Sequence, residues 1–148
     1  MDPELVVVTE PECGLRDAIQ RHVRAFNTER AGPSGWSPFA IPIRDPKTGE
    51  VSGGLWAGSS YDWFYVELRI VPEALRGRGI GTRMMRMAEA AARARGCVGV
   101  WIDTIEFQAR GFYEKLGYEV FASLDDNPRG WRRFFLRRRL EDAAGGER

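Results

Sequence analysis

The sequence predicts an α/β fold, in which helices cover a mixed β-sheet. Short apolar runs rich in β-branched residues alternate with segments whose apolar residues recur at helical spacing, and glycine-rich turns separate the two kinds of segment. At 148 residues, the chain is long enough to bury one core without disulfides. We therefore expect one domain over residues 1–141 and a disordered tail over residues 142–148.

The first half of the chain is predicted to contain a strand, a helix and a β-hairpin. Residues 5–8 form a short apolar run typical of a strand, and residues 12–27 carry apolar side chains at three- and four-residue spacing, which indicates an amphipathic helix. Residues 28–38 are rich in Gly, Pro and Ser and are predicted to form a long loop. The turn-forming segment DPKTGE lies between residues 39–44 and residues 51–57. These two segments are therefore predicted to pair as a hairpin.

The second half alternates predicted strands and helices. Residues 63–71 alternate apolar and polar side chains, which predicts a strand with one polar-lined face. Residues 82–95 are rich in Met and Ala, and they predict a helix that Gly96 ends. The continuous apolar run at residues 97–103 is typical of a strand buried on both faces. The remaining predicted elements are a short helix at residues 106–116 and strands at residues 118–123 and 131–140.

The composition argues against several classes of protein. No apolar run approaches the roughly 20 residues of a membrane span, and the N-terminal MDPELVVVTE does not resemble a signal peptide, so we expect a cytoplasmic protein. Cys13 and Cys97 show no spacing that indicates a metal site. The net charge of +1 argues against a nucleic-acid binder. The arginine-rich last strand is compatible with a nucleic-acid patch, but we favour a solvated face.

The segment VELRIVPEALRGRGIGTRMM is the most informative part of the sequence, because a strand leads through a turn with three glycines directly into a helix. Gly77, Gly79 and Gly81 have no side chains, so successive backbone N–H groups and the positive end of the helix can converge on an anion. This pattern predicts a diphosphate-binding cradle, and the alternative is a tight turn without a ligand. The spacing matches neither the P-loop nor the dinucleotide GxGxxG motif.

Two motifs resemble those of the GNAT acetyltransferase superfamily. Arg76, Gly79 and Gly81 match the family's RxxGxG signature, and ARGFYEKLGYEV is similar to its AxxFYEKLGF segment. The close resemblance covers residues 63–123. Parts of the chain also resemble small bacterial acetyltransferases, a group that does not imply one substrate.

The resemblance implies a mixed, mostly antiparallel sheet of about six to seven strands, splayed between the fourth strand at residues 63–71 and the fifth at 97–103, with about four flanking helices. It implies acetyl-CoA as the cofactor, with coenzyme A as the product. The predicted cofactor-binding residues are Leu68, Ile70 and Val71 on the strand edge, Arg76, Gly77, Arg78, Gly79, Ile80, Gly81 and Thr82 in the turn, and Gln108 and Phe112 near the second motif. Glu106 stands where the family commonly has Asn, and Gln108 is the candidate replacement for that amide.

Two residues are candidate catalytic groups. A protonated amine has no lone pair, so a base must accept its proton, and Glu67 on the polar face of the splayed strand is the candidate, directly or through water. The alternative for Glu67 is a salt bridge to Arg69 or another arginine. Tyr113 matches a tyrosine that family members often place near the thioester sulfur, where it can protonate the departing thiolate. The alternative for Tyr113 is packing under the sheet.

These expectations combine into one functional hypothesis. The resemblance implies an N-acetyltransferase that transfers an acetyl group to a primary amine of a small-molecule or peptide acceptor by direct attack on the thioester. The alternative is a catalytically silent coenzyme A-binding sensor or interaction module of the same fold. We expect no metal, nucleic-acid or membrane partner, and a monomer or homodimer.

Overall fold

The computed structural model describes residues 1–140. The chain divides into two compact units, Met1–Ser34 and Gly35–Arg148. The predicted disordered tail, residues 142–148, lies outside the described residues, and the assignment of one domain to residues 1–141 stays a prediction.

The N-terminal unit contains one long helix, α1, at Cys13–Ala31. The predicted strand at residues 5–8 is wrong: these residues belong to no strand, and their side chains are 51–91% exposed. An apolar run of four residues becomes a strand only where another strand supplies hydrogen-bond partners. The predicted loop also begins too early, since α1 continues to Ala31 and ends at Gly32, whose φ is 80°. The helix-breaking residues of this segment begin only at that glycine.

The second unit is built on a six-stranded sheet in the order β1-β2-β3-β4-β6-β5. All neighbouring strands pair antiparallel except β3 and β4, which are parallel. The sheet is therefore mixed and mostly antiparallel, with six strands, within the expected range. The strands are β1 Ser37–Arg44, β2 Val51–Ser60, β3 Trp63–Ile70, β4 Gly99–Ile105, β5 Glu119–Leu124 and β6 Arg133–Arg139.

Two further helices follow the central strands, α2 at Ile80–Ala94 and α3 at Arg110–Lys115. A 3₁₀ turn at Glu73–Leu75 precedes α2. Within residues 1–140 there are thus three α-helices, and the expectation of about four was too high. The helix predicted from residue 106 begins only at Arg110. The chain first makes a turn in which the backbone N–H of Gln108 donates to the Ile105 carbonyl at 2.7 Å.

The core of the second unit lies between α2 and one face of the sheet. Met85 and Ala88 of α2 are fully buried, as are Phe64 and Val66 of β3 and Leu136 of β6. Burying an apolar side chain of this size stabilises the fold by about 1.5–3 kcal/mol. This packing fixes β3, α2 and β4 relative to one another, and these are the elements that surround the candidate site.

The parallel strands β3 and β4 diverge in the middle of the sheet. Their pairing runs from Trp63 opposite Gly99 to Val66 opposite Ile102 and stops there, although both strands continue. On the other edge of β3, Ala57 pairs with Val66 and Trp56 with Leu68, so Glu67 is the extra residue of a β-bulge. The splay expected between the two central strands is therefore present, and it begins at this bulge.

Candidate active site

A cavity of about 780 Å³ opens where β3 and β4 separate. The diverging strands form two of its walls, and the start of α2 and the helix α3 form the others. The predicted site residues that line it are Glu67, Leu68, Ile70, Val71, Arg76, Gly77, Gly79, Ile80, Gly81, Thr82, Gln108, Phe112 and Tyr113. Arg78 is the one predicted site residue that does not line it.

The glycine turn presents open backbone to this cavity. Gly77 and Gly79 have φ values of 77° and 73°, which favour glycine, and a Cβ on either would meet no atom within 4 Å. The amides of residues 77–82 donate to no acceptor within residues 1–140. A helix start whose N–H groups are unpaired binds anions, because the donors and the helix dipole act together. The turn therefore fits a diphosphate.

The cradle of free amides is one residue shorter than predicted. The Arg76 amide already donates to the Glu73 carbonyl at 3.2 Å, and the Arg76 Nε donates to the Val71 carbonyl at 3.1 Å. Arg76 therefore closes the turn between the 3₁₀ segment and the glycines. The free donors begin at Gly77.

The outer part of β3 offers an unpaired strand edge to the same cavity. Leu68, Arg69 and Ile70 pair with β2 on one side, while the side facing β4 has no strand partner beyond Val66. A free β edge can pair with an extended group that carries amides. This edge is therefore open to an extended ligand that carries amide groups.

Tyr113 lies at the inner end of the cavity and is 4% exposed. Its hydroxyl oxygen accepts a hydrogen bond of 2.7 Å from Nε of Arg69. Burial raises the pKa of Tyr113, and the nearby Arg69 partly opposes this effect. The phenol is therefore protonated throughout the neutral range. Phe112, its neighbour on α3, is only half-buried.

Glu67 is exposed at the bulge, and no hydrogen bond or salt bridge joins it to another residue in the range 1–140. The alternative of a salt bridge to Arg69 is not formed, since that arginine bonds Tyr113 instead. Glu67 is thus a carboxylate at the cavity wall whose oxygens are available to an amine or to water.

Sequence reasoning missed a second carboxylate, Asp103 of β4, whose side chain is 14% exposed and lines the cavity. It accepts a hydrogen bond of 2.7 Å from the Tyr65 hydroxyl and forms an ion pair with Arg133. Burial, with the hydrogen bond to Asp103, raises the pKa of Tyr65 well above its usual range. The only sequence signal was an acid at the end of the buried run VGVWID, where the strand meets the splay.

The side chain of Gln108 supports the turn between β4 and α3. Its Oε1 accepts from the Ile105 amide at 2.7 Å and from the Thr104 hydroxyl at 3.3 Å. Glu106, which replaces the expected Asn, accepts at Oε2 from the Arg132 amide at 3.1 Å. Gln108 lines the cavity, whereas Glu106 is committed to the neighbouring loop.

No group of three or more His, Cys, Asp and Glu side chains within residues 1–140 is arranged to hold a metal ion. No helix in that part of the chain combines the length and apolar character that a bilayer crossing requires.

Comparison with known proteins agrees with this geometry. The Acetyltransferase (GNAT) family model matches residues 11–118. An acetyltransferase of Agrobacterium fabrum is 40% identical over 119 residues, which cover 80% of this chain and 83% of that protein. The blasticidin-S acetyltransferase of Streptomyces morookaense is 43% identical over 83 residues, covering 55% of this chain and 61% of that protein.

A crystal structure from Agrobacterium tumefaciens, assigned to the acetyltransferases, superposes with a TM-score of 0.87 and 35% identity over 93% of this chain and 100% of its own. A family match over most of the chain and this structural agreement point to the same conclusion as the glycine turn and the splayed strands. The chain belongs to the GNAT family of acetyltransferases and is an acyltransferase.

Proposed function

We propose that the protein is an acetyl-CoA-dependent N-acetyltransferase that acts on a primary amine of a small molecule or peptide. The observation that carries the proposal is the cavity itself, which is lined by the turn of free amides, a free strand edge, a carboxylate and a buried phenol. Members of the family use acetyl-CoA. The similarity to a blasticidin-S acetyltransferase supports a small-molecule acceptor.

The cofactor is expected to be held by backbone groups. The amides from Gly77 to Thr82 donate to the diphosphate, and the edge of β3 from Leu68 to Ile70, together with the following Val71, pairs with the pantetheine arm. When bound, acetyl-CoA supplies a thioester whose acyl carbon accepts an amine lone pair and whose sulfur leaves with the electrons of the broken bond. Holding the thioester and the amine next to each other can account for much of the rate, because the two reactants no longer have to meet in solution.

Glu67 is expected to accept a proton from the attacking amine, and Tyr113 is expected to donate a proton to the departing sulfur. An amine must lose a proton before its nitrogen can attack, and the Glu67 carboxylate can accept that proton directly or through water. A departing thiolate must gain one, and Tyr113 Oη carries a proton because burial raises the pKa of the phenol. The nitrogen loses a second proton when the carbon–sulfur bond breaks, and Tyr113 recovers one from water, so conversion of a protonated amine and a thioester into an amide and a free thiol releases one proton to solvent.

The test is release of free thiol from acetyl-CoA in the presence of a panel of amines. The panel contains blasticidin S, aminoglycosides, polyamines and peptides with free N-termini, and mass spectrometry identifies the acetylated product. We expect turnover with at least one amine, above the rate of hydrolysis without acceptor. Tight binding of coenzyme A without turnover on any of these amines would support the silent binding module instead.

A further inference from the structure

Arg69 is a charged residue in the cavity that the proposed reaction does not yet use. Its guanidinium carbon lies 4.4 Å from the centre of the Phe112 ring and 5.2 Å from that of Tyr113, and its Nε donates to the Tyr113 hydroxyl. None of the salt bridges within residues 1–140 involves Arg69. An ion pair therefore does not explain why Arg69 lies there. Because a half-buried charge without a carboxylate partner is costly, its position needs another explanation.

The β-bulge explains how Arg69 comes to point toward α3. Phe64 and Val66 face the core, and strict alternation would place Leu68 on the same side. Because Glu67 is an extra residue in the register with β2, the alternation shifts by one. Leu68 is instead 63% exposed, and Arg69 reaches the residues of α3.

The hydrogen bond leaves the Tyr113 proton unused by the protein. A phenol has one O–H donor and two acceptor lone pairs, and Arg69 occupies a lone pair. The Tyr113 hydroxyl donates to no acceptor within residues 1–140, and its side chain lines the cavity. An arginine at this position therefore fixes the oxygen while the proton remains available to a group in the cavity.

We infer that Arg69 is a positioning residue that holds the Tyr113 hydroxyl with its proton directed into the cavity. The inference rests on the proposed function, in which that proton goes to the departing sulfur. Arg69 acts through Tyr113 and not on the reacting atoms. Its positive charge also opposes the effect of burial on the phenol, so it keeps the hydroxyl a better acid than burial alone would allow.

The third glycine of the turn supports this role. Unlike Gly77 and Gly79, Gly81 does not have a positive φ, so its backbone does not require glycine. A Cβ at Gly81 would lie 2.8 Å from Nη1 of Arg69 and 3.4 Å from the Phe112 ring. Glycine at this position therefore provides the space for the Arg69 side chain, and the cradle and Tyr113 are linked through it.

A titration of Tyr113 tests the inference without turnover. The pKa of Tyr113 is measured by NMR on protein with ¹³C-labelled tyrosine rings, with Tyr113→Phe identifying the signal. We expect Arg69→Gln to raise the pKa of Tyr113 and Arg69→Lys to raise it less. Arg93→Gln, which removes an arginine that does not line this cavity, is the control and is expected to leave it unchanged. An unchanged pKa in folded Arg69→Gln would overturn the inference.

A double-mutant cycle tests whether Arg69 acts through Tyr113. With an accepted amine, Arg69→Gln is expected to lower kcat about tenfold, with a smaller effect on the KM for acetyl-CoA. In the Tyr113→Phe background the same change is expected to have no further effect. A further tenfold loss there would show that Arg69 acts independently and would overturn the inference. Absence of turnover in the unmodified protein would contradict the proposed function, while the titration would still decide the Arg69–Tyr113 contact.

Discussion

Glu89 of α2 and Arg138 of β6 form an ion pair in which Nη1 of the arginine lies 2.6 Å and 2.7 Å from the two carboxylate oxygens. Arg86, one turn earlier on α2, contacts the same carboxylate at 2.6 Å and 2.9 Å. Glu89 is fully buried. A buried carboxylate is tolerated only when its charge is paired, so the contact between Glu89 and Arg138 joins α2 to β6 of the sheet.

We expect Glu89→Ala to lower the free energy of unfolding by about 1.5–3 kcal/mol, because it leaves Arg138, whose side chain is 29% exposed, without its partner and removes packed atoms from the core. Urea unfolding followed by circular dichroism measures the change. Glu114→Ala is the control, since its pair with Arg110 is 45% exposed on both sides, and about 0.3–0.5 kcal/mol is expected there. Similar losses in the two variants would contradict a special role for Glu89.

Gly79→Val is expected to weaken coenzyme A binding more than tenfold, because the new side chain enters the space in front of the free amides. Gly96→Val provides a matched control. Gly96 has nearly the same φ, 75° against 73°, also meets no atom within 4 Å of a Cβ, and does not line the cavity. Both variants place valine at a left-handed φ. Coenzyme A affinity measured by isothermal titration calorimetry should therefore separate the effect of backbone strain from the effect of a side chain that blocks the amides. Equal affinities in the two folded variants would count against the cradle.

Glu67→Gln is expected to lower kcat about 100-fold, with little change in the KM for acetyl-CoA, because the amide cannot accept the amine proton. Thiol release at saturating acetyl-CoA measures the effect. Glu73→Gln is the control, since Glu73 carries the same charge six residues along the chain and does not line the cavity. If Glu67→Gln retains full kcat, the proton leaves to solvent without this carboxylate.

Tyr118→Phe is expected to raise the free energy of unfolding at pH 7 by about 1 kcal/mol, because the Tyr118 hydroxyl is buried and finds no hydrogen-bond partner within residues 1–140. Tyr65→Phe is the control. It removes a hydroxyl that donates to Asp103 and is expected to cost about 1.5–3 kcal/mol. A loss of stability in Tyr118→Phe comparable to that of Tyr65→Phe would indicate that the Tyr118 hydroxyl does have a partner.

The same tyrosine predicts a loss of stability at alkaline pH. Burial raises the pKa of Tyr118 well above its usual range. Above pH 10 the unfolded chain releases this proton while the folded protein retains it, so the free energy of unfolding falls as pH rises above about 10. Below that pH, both states hold the proton, so the titration of Tyr118 does not change the stability with pH. Urea titrations at pH 9 to 11 should show a shallower fall in Tyr118→Phe, and an identical fall would contradict the assignment.

The local features of the fold could be predicted from the sequence because they depend on neighbouring residues. Apolar runs, alternation, helix-favouring composition and a turn-forming segment predicted all six strands of the sheet and the helix α2. The three glycines and the FYEKLGY segment indicated the family and predicted the cradle. Residues 5–8 show the limit of this reasoning. Their composition favours a strand, but a strand exists only where the fold supplies a partner.

The sequence alone indicated the family, the six strands of the sheet and the glycine turn that is predicted to bind a diphosphate, since spacing along the chain carries that information. Only the tertiary structure decided which side chains meet in the cavity. Arg69 and Tyr113 are 44 residues apart, and their contact depends on a one-residue bulge that reverses which face Arg69 occupies. Likewise, Asp103 enters the site only because β4 diverges from β3. A β-bulge and a divergence of two strands depend on how the strands pair. The pattern of apolar residues within one segment therefore does not predict them.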